Sequence, residues 1–431
     1  MNCEKIIYNR FILPFLNKKT GIIGCELEFP MLNLSKRPID KKIALGLLNY
    51  FLENEFTVDE TDTLKNPAFI VNKYGDCISF DNSYNNIEFS MNYGDNLIDI
   101  KNRFYFYFKK ANNFLEKYNY IITGFGTNPY KKYINQCHVS YPVYNMVDEY
   151  LHKFDCELTH SYPDFPAYLS SVQTHLDIDI DDLPKTATLF AKTDFLRGIL
   201  FSNSPDFEFG KTLCFRDYLW QKSAFGLCSK NTGAVDEEYK TIDDIKKSFY
   251  KRSIFNNIRD NKYYTFYPIW LDQYFEKNPE SDINQFLSFR NIEITYRGTL
   301  EIRSDCTQPV YDAFAPPAFN LGIAINADKA TAFTDEFLSG ISFSNSYLRN
   351  KVINGEIIDK ISLGDLKEYA CKMVKISEEG LLLRKKGEEK LISPLKQRAA
   401  DLMCPAKYIL ENKNNLDKVI IEFSKTNTSY F

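Results

Sequence analysis

The sequence predicts an α+β protein built on an antiparallel sheet, and three observations predict it. Short segments alternate apolar and polar residues with a period of two, the mark of half-buried antiparallel strands. Stretches with apolar residues at helical spacing flank them. The 431 residues contain no repeat, low-complexity tract or Pro/Gly/Ser linker that would divide the chain. Residues 1–431 therefore read as one domain, of which 333–425 is a mostly helical C-terminal part.

The strands come first along the chain. In Ile23-Gly24-Cys25-Glu26-Leu27-Glu28-Phe29, the residues Ile23, Cys25, Leu27 and Phe29 share one face, and Glu26 and Glu28 share the other. A shorter candidate, Asn86-Ile87-Glu88-Phe89, sets Glu88 opposite Ile87 and Phe89. In Val172-Gln173-Thr174-His175-Leu176-Asp177-Ile178, the polar face is Gln173, His175 and Asp177. In Gly298-Thr299-Leu300-Glu301-Ile302-Arg303-Ser304-Asp305, it is Thr299, Glu301, Arg303 and Asp305. Helices are predicted over 101–120, where Phe104, Phe108, Ala111 and Phe114 keep helical spacing, within 183–203, and almost throughout 363–411. A long and partly charged loop is expected over 226–290.

Composition excludes several classes. Lys and Arg total 53 against 57 Asp and Glu, and 44% of residues are hydrophobic, as in an ordinary globular chain. The mild acidic balance argues against a nucleic-acid binder, which needs a basic face. No segment approaches the roughly 18 apolar residues of a membrane span. The N-terminal Phe11–Leu16 run is too short for a signal-peptide core, so the chain reads as cytoplasmic and its 10 cysteines as reduced thiols. There is no GxxxxGK[ST] phosphate loop and no G-x-S-x-G elbow. Gly124-Phe125-Gly126 reads as a turn, and His138, His152 and His160 read as surface or packing histidines.

The polar strand faces carry chemistry. A merely solvated face mixes lysine and serine with its acids, whereas these faces collect Glu26, Glu28, Glu88, Asp177, Glu301 and Asp305 with no lysine. Carboxylates crowded together repel one another unless a cation neutralises them. Hard oxygen donors with one imidazole suit Mg²⁺ or Mn²⁺ bridging substrate phosphates better than a closed zinc site.

Four ordered motifs also resemble the glutamate–cysteine ligase family, among the glutamine-synthetase-like carboxylate–amine ligases. They are Gly24–Glu28, Val172–Asp177, Ser202-Asn203-Ser204-Pro205 and Gly298–Asp305, and the likeness extends loosely from residue 20 to about 400, through Glu379-Gly380-Leu381. The resemblance implies a curved antiparallel sheet forming a funnel that holds ATP and metal ions on its concave face. It implies Glu26, Glu28, Glu88, His175 and Glu301 as metal ligands, joined by Asp81, which lies seven residues before Glu88 as an Asp and Glu pair does in bacterial members. It sets Gln173, Glu301 and Arg303 at the reacting centre, Gln173, Arg303 and Asn203 at the nucleotide, and Arg216 at a substrate carboxylate. Cys25 departs from the family's usual Val or Ile and faces the apolar side. The implied reaction activates a carboxylate, most simply that of glutamate, as an acyl phosphate that the amine of cysteine attacks. The expected partners are small amino acids or a peptide, with no nucleic acid and no membrane. Two alternatives remain at this stage: the same architecture turned to another amino acid, peptide, natural-product precursor or guanidino phosphotransfer, and an inactive homologue.

Overall fold

A computed structural model of the chain describes residues 3–135, 137–154, 160, 162–207, 212–260, 262–278 and 283–427. Its centre is a nine-stranded sheet whose pairings are all antiparallel. In chain order the strands are β1 (Ile23–Asn33), β2 (Phe56–Thr61), β3 (Pro67–Asn72), β4 (Cys77–Phe80), β5 (Asn86–Gly94), β6 (Tyr120–Ile122) and β7 (Ser171–Leu176). Two short pairs follow, β8 (Thr232–Gly233) with β11 (Phe289–Arg290), and β9 (Ser253–Arg259) with β10 (Lys262–Trp270). The main sheet resumes with β12 (Ile292–Ile294) and β13 (Leu300–Cys306). Its spatial order is β12-β13-β7-β1-β5-β4-β3-β2, with β6 paired to the end of β1. The 11-residue β1 is thus the spine, bordered by β5 and β7.

One face of this sheet is the core. Phe29 of β1 and Phe89 of β5 pack against Phe104 and Phe108 of the helix Leu97–Leu115, with ring centroids 5.3–6.4 Å apart. Burying a side chain of this size contributes roughly 1.5–3 kcal/mol. Asn96 caps that helix by accepting from the Ile98 N–H, and Asn119, at φ +64°, turns the chain out of the short 3₁₀ turn that follows. The helix therefore sits a few residues earlier than the 101–120 predicted, and the chain re-enters the sheet at β6. Cys25 lies on the same apolar face, 1% exposed.

The 183–203 segment forms two helices, Leu183–Lys192 and Asp194–Phe201, broken at Thr193, whose hydroxyl bonds back to the Leu189 carbonyl. From 315 onward the chain is largely helical, through Ala315–Ile325, Ala327–Phe337, Asn345–Ile353, Leu363–Arg384, Ser393–Asp401, Pro405–Glu411 and Leu416–Phe423. The expectation of a loop over 226–290 is corrected. That stretch holds the β9–β10 hairpin and the helices Ile242–Tyr250 and Leu271–Lys277, and its residues 261 and 279–282 lie outside the described ones. The charges misled because they occupy exposed faces, such as the Thr241–Asp244 capping box that starts Ile242–Tyr250. Among the described residues, no helix is long and apolar enough to cross a membrane.

Candidate active site

The opposite face of the sheet is acidic because of register. Glu28 stands across from Glu88 of β5, Glu26 from Gln173 of β7, and His175 from Glu301 of β13. Side chains directly opposite on one face are about 5 Å apart, so pairing alone gathers these groups. They line a cavity of about 320 Å³ together with Asp81, Arg216, Arg297 and Arg303. Its outer wall comes from the helices Pro142–Lys153 and Phe215–Gln221 and from the 286–297 segment, through Tyr144, Val147, Trp220, Phe289 and Tyr296. Arg216 and Trp220 reach it from one helix face because they are four residues apart.

Three donors converge at its floor. Glu26, His175 and Glu301 each present an atom within 4.8 Å of the others, and His175 Nε2 lies 3.2 Å from Glu26 Oε1 and 3.7 Å from Glu301 Oε1. Thr299 Oγ1, 3.1 Å from His175 Nδ1, fixes the ring. Glu28 is held by the Ser171 N–H at 2.8 Å and by the Gln173 amide at 2.7 Å. Glu88 accepts from Ser90 Oγ.

The charges do not balance. Burial, together with repulsion from Glu28 and Glu26, pushes Asp81 up to about 8. Burial and the charges of Glu26, Asp81 and Glu28 push Glu88 well above the carboxylate range. Glu28 is also raised, by burial, against the pull of Arg216. Burial would raise Glu26 too, but His175, Arg297 and Arg303 outweigh it and hold it far below its ordinary value. Desolvation would strip the proton from His175, yet Glu26 and Glu301 outweigh that and raise it. Arg297 donates to Glu26 at 2.9 Å and Arg303 to Glu301 at 2.8 Å. Two arginines thus already lean on the acids, and the remaining carboxylates hold charge only if further cations enter. The donor set fits Mg²⁺ or Mn²⁺: carboxylate oxygens with one imidazole, in a cavity open enough for phosphate oxygens.

Nine of the ten predicted site residues line this cavity: Glu26, Glu28, Asp81, Glu88, Gln173, His175, Arg216, Glu301 and Arg303. Asn203 does not. Its amide donates to the carbonyls of Gly124 and Thr307 in a fully buried position. Period-two reasoning also fails for Asp305. A bulge between Ile302 and Asp305 sets two residues of β13, Arg303 and Ser304, against one of β7, Gln173, and Asp305 turns to the other face. There it pairs with Arg197 at 3.0 Å and Asn320 at 3.0 Å, not with Arg303. Asp177 lies past the end of β7, paired with Lys18 at 2.9 Å. Gly124-Phe125-Gly126 is a close backbone approach and not a free turn, since a Cβ on Gly124 would lie 2.1 Å from the Gln308 carbonyl. Sequence reasoning missed Arg297, Tyr144 and Ser171, whose roles depend on long-range packing that no local period encodes.

Among the described residues, no cysteine lines the cavity: Cys25 and Cys306, both 1% exposed, lie in the core, and Ser171 Oγ is committed to Glu28. The arrangement suits chemistry by positioning and electrostatics on a charged substrate.

A mixed α/β protein with an acid-lined cavity on an antiparallel sheet is the class that fold and site define. No family model and no curated protein matches the sequence. Among solved structures the chain is similar to a glutamate–cysteine ligase from Francisella tularensis in complex with AMP, at 12% identity and a TM-score of 0.48, over 95% of this chain and 88% of that one. It is also similar to a bifunctional glutathione synthetase from Pasteurella multocida, at 12% identity and a TM-score of 0.43, over 96% of this chain and 55% of that one. A third likeness is to the complex between the prokaryotic ubiquitin-like protein Pup and its ligase PafA, at 11% identity and a TM-score of 0.38, over 98% and 68%.

Proposed function

We propose that the chain is an ATP-dependent carboxylate–amine ligase that forms an amide through an acyl phosphate, joining glutamate to cysteine. The convergence of Glu26, His175 and Glu301 with Glu28, Glu88 and Asp81 in one cavity, faced by three arginines, carries the reading. In it the sheet and its acidic face act as a funnel for ATP and divalent cations. Glu26, Glu28, Asp81, Glu88, His175 and Glu301 would hold Mg²⁺ or Mn²⁺, which neutralises phosphoryl charge when bound. Gln173 keeps Glu28 aimed inward, and Arg303 supplies a planar donor to the transferring phosphoryl group. Arg216 lines the cavity, where its charge acts on Glu28, and would grip a substrate carboxylate. A carboxylate is a poor electrophile, and converting it to an acyl phosphate lets an amine attack with phosphate as leaving group. Nothing in that scheme needs a nucleophilic side chain.

Trapping the intermediate tests the reaction. With ATP, Mg²⁺ and hydroxylamine, a panel of carboxylic acids should give a hydroxamate with ADP and phosphate only for the true acid, expected to be glutamate. Cysteine should then accelerate ADP release more than other amines do. AMP and pyrophosphate in place of ADP would overturn the acyl-phosphate assignment, and hydroxamate from a different acid would replace the substrate while keeping the chemistry.

A further inference from the structure

We propose that His138, Asp148, His152 and Asp164 form a second metal centre, suited to Zn²⁺, that clamps the outer wall of the acid-lined cavity. The four side chains come from three segments: the stretch before the helix Pro142–Lys153, the helix itself, and the turn before the 3₁₀ helix Phe165–Tyr168. His138, Asp148 and Asp164 each offer a donor atom within 4.8 Å of the others. His152 extends the group, with its Nε2 3.3 Å from Asp164 Oδ1.

The geometry is that of ligands around a common centre. His138 Nε2 stands 3.4 Å from Asp148 Oδ1, yet both His138 ring nitrogens and Asp164 Oδ1 are buried atoms without a hydrogen-bond partner among the described residues. With metal–ligand bonds of about 2.0–2.1 Å, neighbouring donors of a tetrahedral site lie about 3.3 Å apart. The contacts of 3.3 and 3.4 Å match that edge. His152 Nδ1 lies 2.9 Å from the Asp148 carbonyl oxygen and 3.3 Å from Asp148 Oδ1, acceptors that favour a proton on Nδ1, while Nε2 faces Asp164 at 3.3 Å. A ring N–H given to a carbonyl is the usual support of a metal-bound histidine. Two carboxylates cancel the charge of a dication, and two imidazoles favour Zn²⁺ over Mg²⁺. The side chains are 22–44% exposed, which leaves the ion a path in.

The clamp would act on the cavity. His138 bridges Ser83 in the turn between β4 and β5, and the Val139 N–H donates to the Asn82 carbonyl at 3.0 Å, one residue from Asp81. Ser83 in turn donates to the Ala167 carbonyl at 2.8 Å, three residues after Asp164. The helix that carries Asp148 and His152 also carries Val143, Tyr144 and Val147 into the cavity lining. An ion here would fix that wall without touching the reacting centre, and the inference does not depend on the reaction assigned above.

Metal content of the full chain tests it. After loading with Zn²⁺ in excess Mg²⁺ and gel filtration, the protein should retain about one equivalent, and Co²⁺ in its place should give the intense visible absorption of a tetrahedral site. Glu301→Gln should keep both signals. His138→Asn and Asp164→Asn should abolish them, and His152→Gln should weaken Zn²⁺ about 10-fold or more. A measurement on the unaltered protein guards against misfolded variants: the chain has four histidines, and Zn²⁺ added over saturating Mg²⁺ should shift the ring resonances of His138 and His152 but not those of His160. No retained Zn²⁺, a Co²⁺ spectrum unchanged in His138→Asn, or shifts confined to His175 would overturn the proposal and leave the cluster as His–Asp ion pairs only.

Discussion

Arg303 shows how much a single side chain is asked to do. Burial alone would weaken its hold on a proton, but Glu301 and Glu26 outweigh that and raise its pKa further, so it is a permanent cation beside the floor of the site. It donates to Glu301, and its guanidinium lies 5.9 Å from the centre of the Phe289 ring. Lysine preserves the charge and loses the planar fork, so Arg303→Lys should reduce turnover ~10-fold or more with little change in melting temperature. Equal turnover with a lowered melting temperature would make Arg303 a structural partner of Glu301 only. A second residue bears on pH. Burial would raise Glu237, but Arg290 and Lys230 outweigh it and hold the carboxyl below its ordinary value. A lowered folded-state pKa gives stability above the unfolded value of about 4.3, lost as pH falls through the folded value. The melting-temperature advantage of the unaltered protein over Glu237→Gln should therefore be full at pH 7, shrink as pH falls through the unfolded value of about 4.3, and vanish only below the lowered folded-state value. An advantage that persists in acid would show that the Arg290 contact, 2.7 Å long, works through packing.

At the scale of elements, the site was legible wherever a strand runs regularly. The alternation in β1, β7 and the first half of β13 put Glu26, Glu28, Gln173, His175, Glu301 and Arg303 on one face; the register places the first five there, and Arg303, which falls in the bulge, reaches that face through its bond to Glu301. It failed at the β13 bulge, because an inserted residue reverses every later side chain while the sequence pattern runs on unbroken. The meander β2–β3–β4 went unread because the exposed β2 has only one buried residue, Phe56, to mark a period. The histidines at 138 and 152 were read singly, and only tertiary packing brings Asp164 to them. Gly124 is a further case, a glycine demanded by the element that crosses it. A methyl there would meet the Gln308 carbonyl at 2.1 Å, and that backbone leads from β13 toward Ala315–Ile325. Gly124→Ala should cost about 3 kcal/mol or more in unfolding free energy, since backbone and not a flexible side chain must yield. A cost below about 1 kcal/mol would mean that the crossing segment moves freely.

For the molecule as a whole, the sheet carries two opposed demands. Its core face contributes stability by burying Phe29, Leu27 and Val172, while its acidic face stores repulsion that folding alone does not relieve. A ligand that binds only the folded state stabilises by RT ln(1 + [L]/Kd), about 2.7 kcal/mol at 100 times Kd. Mg²⁺ with ATP should therefore raise the melting temperature of the unaltered chain by several degrees, and the rise should grow with Mg²⁺ concentration. Removing acids acts in two directions at once. Glu88→Gln relieves repulsion and should melt at or above the temperature of the unaltered chain without Mg²⁺, yet gain less from it. Glu26→Gln and Glu301→Gln should lose most of the Mg²⁺-dependent rise and, with it, turnover by orders of magnitude. This crossing pattern, in which the apo protein gains stability as the metal response falls, separates a cation site from an acidic surface. Acids that merely face water would show neither effect, and a full Mg²⁺ response in both Glu26→Gln and Glu301→Gln would remove the cations from this face of the sheet.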